Sequence, residues 1–303
     1  MLTEALADSG KYAVFGDRGV LRVGGADAAK LLGGIITNDM SRLEREPAIY
    51  AGLLSPQGKI LFDLFIMGAS DGFLIDVARE KVGELAKRIS MYKLRAEVTI
   101  ADVSEDYEVI AAWGLNRLED EPSVFSDPRE PSLSSRAVLP RSVWSGLHGK
   151  LRALSGDWHQ SEAAEYHARR VRHGVPEGGK DWDFGDTFPH EALFDQLNGV
   201  SFKKGCYVGQ ETVSRMEHRG TARKRVVQVV AESALPEGRP DVLVGDVAIG
   251  KLGSVADRRG LALLRLDRVA EAQEKGQSIT AGGIPLRVEL PAFATFKMEI
   301  SRS

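Results

Sequence analysis

The chain has 303 residues and a mass of 33.0 kDa, more than a single small hydrophobic core usually supports, so two or three domains are expected. Its net charge of -3 gives no general attraction to nucleic acid or to an acidic membrane surface, and no apolar run approaches the ~18 residues of a membrane span. A single cysteine excludes an internal disulfide framework and indicates a reducing compartment. Residues 1–10 carry Glu4 and Asp8 but neither the apolar core of a secretory signal nor the arginines of a transit peptide, so a cytoplasmic protein is predicted.

Residues 1–105 are predicted to form an α+β domain. Asp27 could cap one helix, and apolar residues between 82 and 89 recur at the spacing of a second. Ser70-Asp71-Gly72 is a hairpin signal, and Ser55-Pro56-Gln57-Gly58 is a tight turn between strands. Such an order of strands and helices is typical of an α+β unit rather than of a parallel βαβ array. The predicted strands cover residues 12–15, 19–23, 49–54, 61–67, 73–77 and 98–103.

A second α+β unit is predicted over residues 106–220. Aspartate, glutamate, serine and proline crowd residues 116–136, which predicts a long surface loop, and a helix is predicted over 163–171. Residues 221–303 change in pattern, because short apolar runs are separated there by glycine, proline and aspartate. They predict a small C-terminal barrel or sandwich with strands at 226–230, 247–252, 261–266 and 286–290.

The most informative stretch is the polar segment Lys203–Glu211, which contains Cys206, the single cysteine of the chain. The ammonium groups of Lys203 and Lys204, and a helix that would begin after Gly209, favour the thiolate over the thiol. A thiolate is a nucleophile, a soft metal ligand and a redox-active group. A lone cysteine is more often a small buried hydrophobe. The polar, glycine-flanked setting nevertheless predicts an exposed functional loop.

Two other features have competing interpretations. Trp182 and Phe184 could stack on a flat ligand, although packing in the core is the favoured interpretation of aromatics at that spacing. A catalytic zinc held by Cys206, His190 and His218 is geometrically possible, but no spacing of the six histidines supports it. No permanently bound metal is therefore expected.

The stretch Lys204–Glu211, followed by Arg215 and Gly220, resembles the signature of the YgfZ family. Members of this family are folate-binding relatives of the glycine cleavage T-protein and include the mitochondrial factor that helps mature iron–sulfur proteins. The resemblance extends along most of the chain, although residues 110–160 carry no recognisable motif. Further stretches that resemble the family are Thr37-Asn38-Asp39, Pro56-Gln57-Gly58-Lys59, Arg170–Gly174 with Pro176, and Phe188–Ala192.

The resemblance implies a three-part fold, with two α+β units and a C-terminal β-barrel around a central channel that binds tetrahydrofolate. A pterin needs a carboxylate or amide at its amino-pyrimidine edge, and Asp63 and Glu191 are the candidates. The glutamate tail needs cations, for which Arg170 and the basic run after Gly220 are candidates. An ordinary surface charge is the alternative for each of them. The remaining candidate folate-binding residues are Asn38, Lys204, Gly205, Tyr207, Gly209, Gln210, Glu211 and Arg215.

In function, the resemblance implies a tetrahydrofolate-binding accessory protein that supports assembly or repair of iron–sulfur clusters in client enzymes. Cys206 would be a transient ligand or redox-reactive thiol tuned by Lys204, and Asp63 is the third catalytic candidate. T-proteins carry two adjacent acids near this aspartate, whereas here Phe62 replaces one of them. A folate-dependent aminomethyltransferase that uses Asp63 is one alternative, and a scaffold that binds folate as a signal is another. The expected partners are folate and iron–sulfur client enzymes or assembly proteins, with a monomeric chain that binds neither membranes nor specific nucleic acids.

Overall fold

The computed structural model describes residues 10–114, 124–146, 158–219 and 222–298. Residues 1–9, on which the predicted location partly depends, lie outside the described residues. Residues 116–123 of the predicted loop at 116–136 also lie outside them. Contacts group the chain into two compact units, Met1–Ala51 with Phe62–Tyr166, and Gly52–Leu61 with His167–Ser303. These limits differ from the three predicted domains, 1–105, 106–220 and 221–303.

The first unit is built on two five-stranded sheets, with strand orders β3-β4-β5-β2-β6 and β10-β1-β7-β9-β8. The pairs β4–β5, β2–β5 and β2–β6 are antiparallel, whereas β1 and β10 run parallel. The strands are β1 (Gly10–Val14), β2 (Arg18–Gly24), β3 (Ala48–Leu54), β4 (Ile60–Ala69), β5 (Gly72–Ala78), β6 (Thr99–Asp102), β7 (Tyr107–Trp113), β8 (Val124–Ser126), β9 (Ser135–Pro140) and β10 (Trp158–Gln160). The mixed order of antiparallel strands and helices confirms the predicted α+β class.

Helices cover the first sheet and follow from the apolar spacing of the sequence. Helix α1 spans Ala28–Ile35 and α2 spans Val82–Lys93, with 3-10 helices at Met40–Glu44 and Arg79–Lys81 and a helical segment at 141–146. In α2 the residues Val82, Leu85 and Ile89 are buried on the face that lies against β2 and β6. The predicted hairpin is also confirmed, because Ala69 pairs with Gly72 across the two-residue turn Ser70-Asp71.

The prediction of a surface loop over residues 116–136 is wrong for residues 124–136, the part that the structure describes. Residues 124–126 form β8, which pairs with β9, and the charged residues that follow are buried instead of solvated. Asp127 is fully buried and accepts two hydrogen bonds from the side chain of Arg129. The charged residues of this stretch therefore form internal ion pairs. A prediction based on polarity alone places such residues on the surface.

The second unit contains a closed six-stranded barrel of order β11-β14-β13-β12-β15-β16, so the barrel alternative is confirmed over the sandwich. Its interior is apolar, with Val227, Leu252 and Leu264 each fully buried. No helix of the described residues is long and apolar enough to cross a membrane. The elements of this part are α3 (Ala163–His173), α4 (Gln210–Arg219), β11 (Lys224–Val230), β12 (Asp241–Val244), β13 (Val247–Ala256), β14 (Arg259–Arg265), α5 (Leu266–Glu274), β15 (Ile279–Ala281) and β16 (Ile284–Glu289).

Candidate functional site

The signature segment forms an exposed loop that leads into α4, and Cys206 is exposed on it. Tyr207, the next residue, is 8% exposed, and burial raises the pKa of Tyr207 to about 12, so its hydroxyl is neutral at physiological pH. The Lys204 ammonium lies 5.0 Å from the centroid of the Tyr207 ring. The Gln210 side chain accepts a 3.3 Å hydrogen bond from the Tyr207 backbone N–H. The thiol therefore sits on a loop whose next residue is anchored in the protein.

Two glycines in the left-handed region make this anchoring possible. Gly209 has φ +81°, and a Cβ there would lie 2.5 Å from the carbonyl oxygen of Ser55 and 3.0 Å from the Cα of Gly58. Gly58 has φ +86°, and a Cβ there would lie 2.8 Å from the Cβ of Thr212. The turn at Ser55–Gly58 therefore packs directly against the signature loop. By contrast, nothing lies within 4 Å of a Cβ added at Gly205.

The remaining signature side chains lie on the exposed face of α4. Glu211 and Arg215 form an i, i+4 ion pair, with side chains 87% and 55% exposed. Pairs this exposed contribute little to stability. Both residues therefore remain accessible to a ligand or partner, although neither contacts Cys206 in a hydrogen bond that the structure shows.

Glu191 lies half-buried in the second unit among lysines. One of its carboxylate oxygens accepts a 2.9 Å hydrogen bond from the Phe188 N–H. Burial raises the pKa of Glu191, against the opposing effects of that hydrogen bond and of the charges on Lys224 and Lys59. The Lys59 ammonium in turn bonds Asp186 at 2.9 Å. Glu191 thus lies near two lysines, with one carboxylate oxygen engaged by the backbone.

Arg170 occupies a different environment from the solvent-facing cation that the resemblance implies. Its side chain is fully buried and donates to Asp181 at 2.5 Å, Ser254 at 2.5 Å and the carbonyl of Val175 at 3.2 Å. Asp181 also accepts from the backbone N–H of Ser254 at 2.7 Å. These contacts tie α3 to the barrel, so Arg170 is held by internal partners in the second unit.

Trp182 is packed in the interior of the second unit, and the half-buried Phe184 lies against it. Trp182 is 1% exposed, and its ring centroid lies 5.0 Å from that of Phe184 in an edge-to-face arrangement. A Cβ added at Gly178 would lie 2.4 Å from the Phe184 ring. The packing interpretation of these aromatics is therefore confirmed.

Asn38 and Asp63 both lie in the interior of the first unit, next to Tyr50. Asp63 is 2% exposed on β4, and the Asn38 side chain donates to the Tyr50 carbonyl at 2.7 Å. Burial, followed by the negative charge of Asp63, raises the pKa of Tyr50 well above its usual value. Both predicted folate residues therefore neighbour Tyr50, Asn38 through the backbone carbonyl and Asp63 through its charge on the phenol.

A buried network of arginines and aspartates lies in the same unit, and sequence reasoning missed it. Asp76 accepts from Arg18 at 2.6 Å and from Arg136 at 2.7 Å. Asp127 accepts from Arg129 at 2.8 Å and lies 3.8 Å from Arg136. All five side chains are at most 9% exposed. The residues of this network come from distant parts of the sequence, so no local sequence pattern could have revealed it.

The network surrounds the ring of Phe65. The guanidinium carbon of Arg136 lies 4.0 Å from the ring centroid, that of Arg129 4.8 Å and that of Arg18 5.7 Å. The five charged side chains of the network are three arginines and two aspartates. Asp63 lies on the same face of β4 as Phe65, because side chains two residues apart in a strand share a face. Asp63 therefore supplies a third negative charge beside the cluster.

A second polar cluster joins α4 to the start of the barrel. Potential ligand atoms of His190, Asp195 and Glu217 lie within 4.8 Å of one another, and His190 Nε2 lies 3.0 Å from Glu217. Arg225 already donates to both oxygens of Asp195 at 2.9 Å and to the carbonyl of His190 at 2.9 Å. A guanidinium in this position competes with a metal cation, and Cys206 is not part of the group. Arg225, one of the basic residues after Gly220, is thus engaged inside the protein.

Comparisons with known proteins fit this architecture. The GCVT N-terminal domain matches residues 17–116, and the CAF17 C-terminal beta-barrel domain matches residues 223–296. The mitochondrial iron–sulfur cluster assembly factor IBA57 of Mus musculus is 31% identical over 291 residues, which cover 83% of this chain and 76% of the mouse protein. The chain belongs to the IBA57 family. Its kinship with iron–sulfur cluster factors is therefore confirmed.

Other members of the IBA57 family match over different lengths. The human protein is 29% identical over 88% of this chain and 82% of its own length. The Mycosarcoma maydis homologue is 35% identical over 72% of this chain, which spans 56% of the fungal protein. Among solved structures, the glycine cleavage system aminomethyltransferase T from Bartonella henselae superposes with a TM-score of 0.76 over 97% of this chain and 89% of its own. At 15% identity, this likeness confirms the fold alone.

The predicted cytoplasmic location is wrong. The IBA57 relatives from Mycosarcoma maydis, mouse and human are all named as mitochondrial proteins. A single cysteine indicates a reducing compartment, but it does not distinguish one reducing compartment from another. The prediction therefore exceeded what composition can decide.

Proposed function

We propose that this protein supports the assembly or repair of iron–sulfur clusters in client enzymes and binds tetrahydrofolate as it does so. The observation that carries the proposal is the exposed Cys206 on a loop packed against the turn at Ser55–Gly58. A structural cysteine would be buried, whereas an exposed thiol on a positioned loop can meet another protein or its cluster. Membership of a family named for iron–sulfur cluster assembly supports the same conclusion.

The loop presents the thiol but leaves it free to react. Tyr207 and Gln210 hold the chain on the C-terminal side of Cys206, while Gly205 on the other side touches nothing within 4 Å of its added Cβ. Lys204 stands over the ring of Tyr207, the residue that follows the thiol in the chain. Iron and sulfide of a cluster would arrive as cargo, with Cys206 as a transient ligand or redox partner.

The residues of the first unit fit a reduced pterin. Asp63 is a buried carboxyl on the same face of its strand as Phe65, and its oxygens suit the amino and ring N–H groups of a pterin as hydrogen-bond acceptors. Bound tetrahydrofolate would supply a one-carbon carrier or a redox-active ring. In the second unit, Arg223 and Lys224 are exposed cations open to an anionic ligand, whereas Arg170 is enclosed by internal partners.

The likeness of the fold to an aminomethyltransferase supports the alternative function, but Phe62 argues against it. Phe62 is fully buried where the T-protein pattern has an acid, and its ring can take no part in proton transfer. Cluster support therefore fits the residues better than aminomethyl transfer.

Cys206→Ser is expected to abolish function without unfolding the protein. Cys206 is exposed, so an oxygen in place of sulfur changes no packing but removes the thiolate chemistry. The measurement is the activity of four-iron-cluster enzymes in a strain that lacks its own family member, rescued by each variant. Thermal melting should coincide with that of the wild type. Full rescue by Cys206→Ser would overturn the proposed role of the thiol.

Tetrahydrofolate should bind the purified protein, and Asp63→Asn should weaken binding. Loss of one charge-assisted hydrogen bond costs roughly 1.5–3 kcal/mol, or about 10- to 150-fold in affinity. Titration calorimetry measures both. Asp71→Asn is the matched control, because Asp71 is exposed and pairs with Arg22 on the surface. If no reduced folate releases heat, the folate part of the proposal fails while the role of Cys206 remains testable.

A further inference from the structure

The C-terminal end of α2 exposes two large apolar side chains. Met91 is 68% exposed and Leu94 is 89% exposed. The opposite face of the helix already buries Val82, Leu85 and Ile89 against the protein, so the exposed pair is not part of that core. Residues four apart share one face of a helix, which places Lys87 beside Met91, and Leu94 follows directly after the last residue of α2.

Leu94 is exposed on an unfavourable backbone. It follows the last residue of α2 with φ 45° and ψ -107°, a combination that residues other than glycine rarely adopt. Glycine is the usual residue where a helix ends in a conformation of positive φ. A leucine here gains nothing for the isolated fold, because its side chain is almost fully in solvent. Backbone strain of this kind concentrates at sites of function.

Four cations flank the exposed pair along the chain. Residues 85–96 contain Lys87, Arg88, Lys93 and Arg95 and no acid. Among the described residues, none of these four side chains forms an ion pair with a carboxylate, although Lys81 earlier in the same region does pair with Glu84. The α2 stripe, defined as Lys87, Arg88, Met91, Lys93, Leu94 and Arg95, is thus apolar at its centre and positive at its rim.

We propose that the α2 stripe is a docking site for an acidic protein partner. Apolar residues of the partner cover Met91 and Leu94, and its carboxylates pair with the cationic rim. Methionine and arginine are enriched in protein interfaces, and complementary charge speeds and orients the encounter. The surface lies in the first unit and does not rest on the roles proposed for folate or Cys206.

Other occupants fit the stripe less well. A helix that lies on a membrane buries its whole apolar face in lipid, whereas the apolar face of α2 is already buried within the first unit. Nucleic acid would use the cations but gain nothing from Met91 and Leu94, since phosphate contacts are polar. A protein surface uses both features at once.

Photo-crosslinking in cells tests the site. A benzophenone amino acid at Met91 should give an adduct with an acidic protein, and the same residue at Val247, which is 63% exposed on the barrel, should not. That partner, purified, should bind the full chain in a salt-dependent manner. Arg88→Glu with Arg95→Glu should weaken binding about 10- to 100-fold, and Arg258→Glu, an exposed arginine of the barrel, should change it less than about twofold.

Leu94→Gly separates docking from folding. It should weaken partner binding about tenfold while raising Tm by about 1–3 °C, because glycine relieves the strained backbone. Tetrahydrofolate affinity should not change. The proposal is overturned by an adduct formed only with a second copy of this chain or with lipid. It is equally overturned by no adduct beyond that at Val247, or by binding that ignores both salt and Leu94.

Discussion

Asp76→Asn is expected to lower the free energy of unfolding of the first unit by about 3–5 kcal/mol. The carboxylate of Asp76 accepts hydrogen bonds from Arg18 at 2.6 Å and Arg136 at 2.7 Å, and all three groups are buried. Asparagine keeps the shape but removes the negative charge that faces the guanidinium groups of Arg18 and Arg136. Urea unfolding followed by circular dichroism measures the loss.

Asp71→Asn is the control for that experiment. Asp71 pairs with Arg22 at 3.1 Å, but its side chain is 58% exposed, so water replaces the lost interaction. The expected change is less than about 1 kcal/mol. If both substitutions cost the same, the buried network does not hold the first unit together.

The same network predicts how stability depends on pH. Burial raises the pKa of Asp127, but the positive charges of Arg129 and Arg136 outweigh it, so the pKa lies below the usual range. A carboxylate with a lowered pKa in the folded state stabilises the fold above its unfolded pKa. That contribution is lost as the pH falls through the folded value. The first unit should therefore keep this contribution throughout the neutral range and lose it only in strong acid.

Gly209→Ala is expected to abolish rescue of iron–sulfur enzymes as completely as Cys206→Ser does. The added Cβ would lie 2.5 Å from the Ser55 carbonyl oxygen, and alanine at φ +81° is strained. The backbone costs about 1–2 kcal/mol, and overpacking adds about 1–3 kcal/mol. The loop relieves both by moving away from the turn at Ser55–Gly58, which displaces the thiol. The measurement is client enzyme activity in the same strain.

Gly205→Ala is the matched control on the other side of Cys206. Nothing lies within 4 Å of its added Cβ, and its φ is not in the left-handed region. Rescue should be close to that of the wild type. Loss of rescue with Gly205→Ala and not with Gly209→Ala would show that the loop is not positioned by the turn at Ser55–Gly58.

Local patterns in the sequence predicted the parts of the fold that local chemistry decides. The hairpin at Ser70-Asp71, the helix that begins at Val82 and the C-terminal barrel follow from turn residues and apolar spacing. The exposure of Cys206 also follows from its polar, glycine-flanked setting. Each of these depends on residues close together in the chain.

Long-range pairing explains most of what sequence reasoning missed. Asp127 and Arg129 stand in a stretch of solvated composition, yet they are buried because Arg136 and Tyr166 complete their hydrogen bonds. The sequence indicates that Arg170 is an accessible cation, but in the structure its side chain donates hydrogen bonds to Asp181 and Ser254. Gly209 carries no sign in the sequence that its close neighbour is Ser55. No sequence pattern indicates that Leu94 is exposed and has a positive φ, a conformation in which glycine is the usual residue.

The hairpin tip Gly52–Leu61 has a consequence for how the thiol loop matures during synthesis. This tip belongs to the second unit although its strands continue into the first, and it supplies the surface on which Gly209 rests. The ribosome makes it about 150 residues before the cysteine loop, a separation that delays contact formation. Cys206 therefore gains its final setting late, after most of the chain has emerged. A fragment that begins at His167 would display the same thiol on a loop without support.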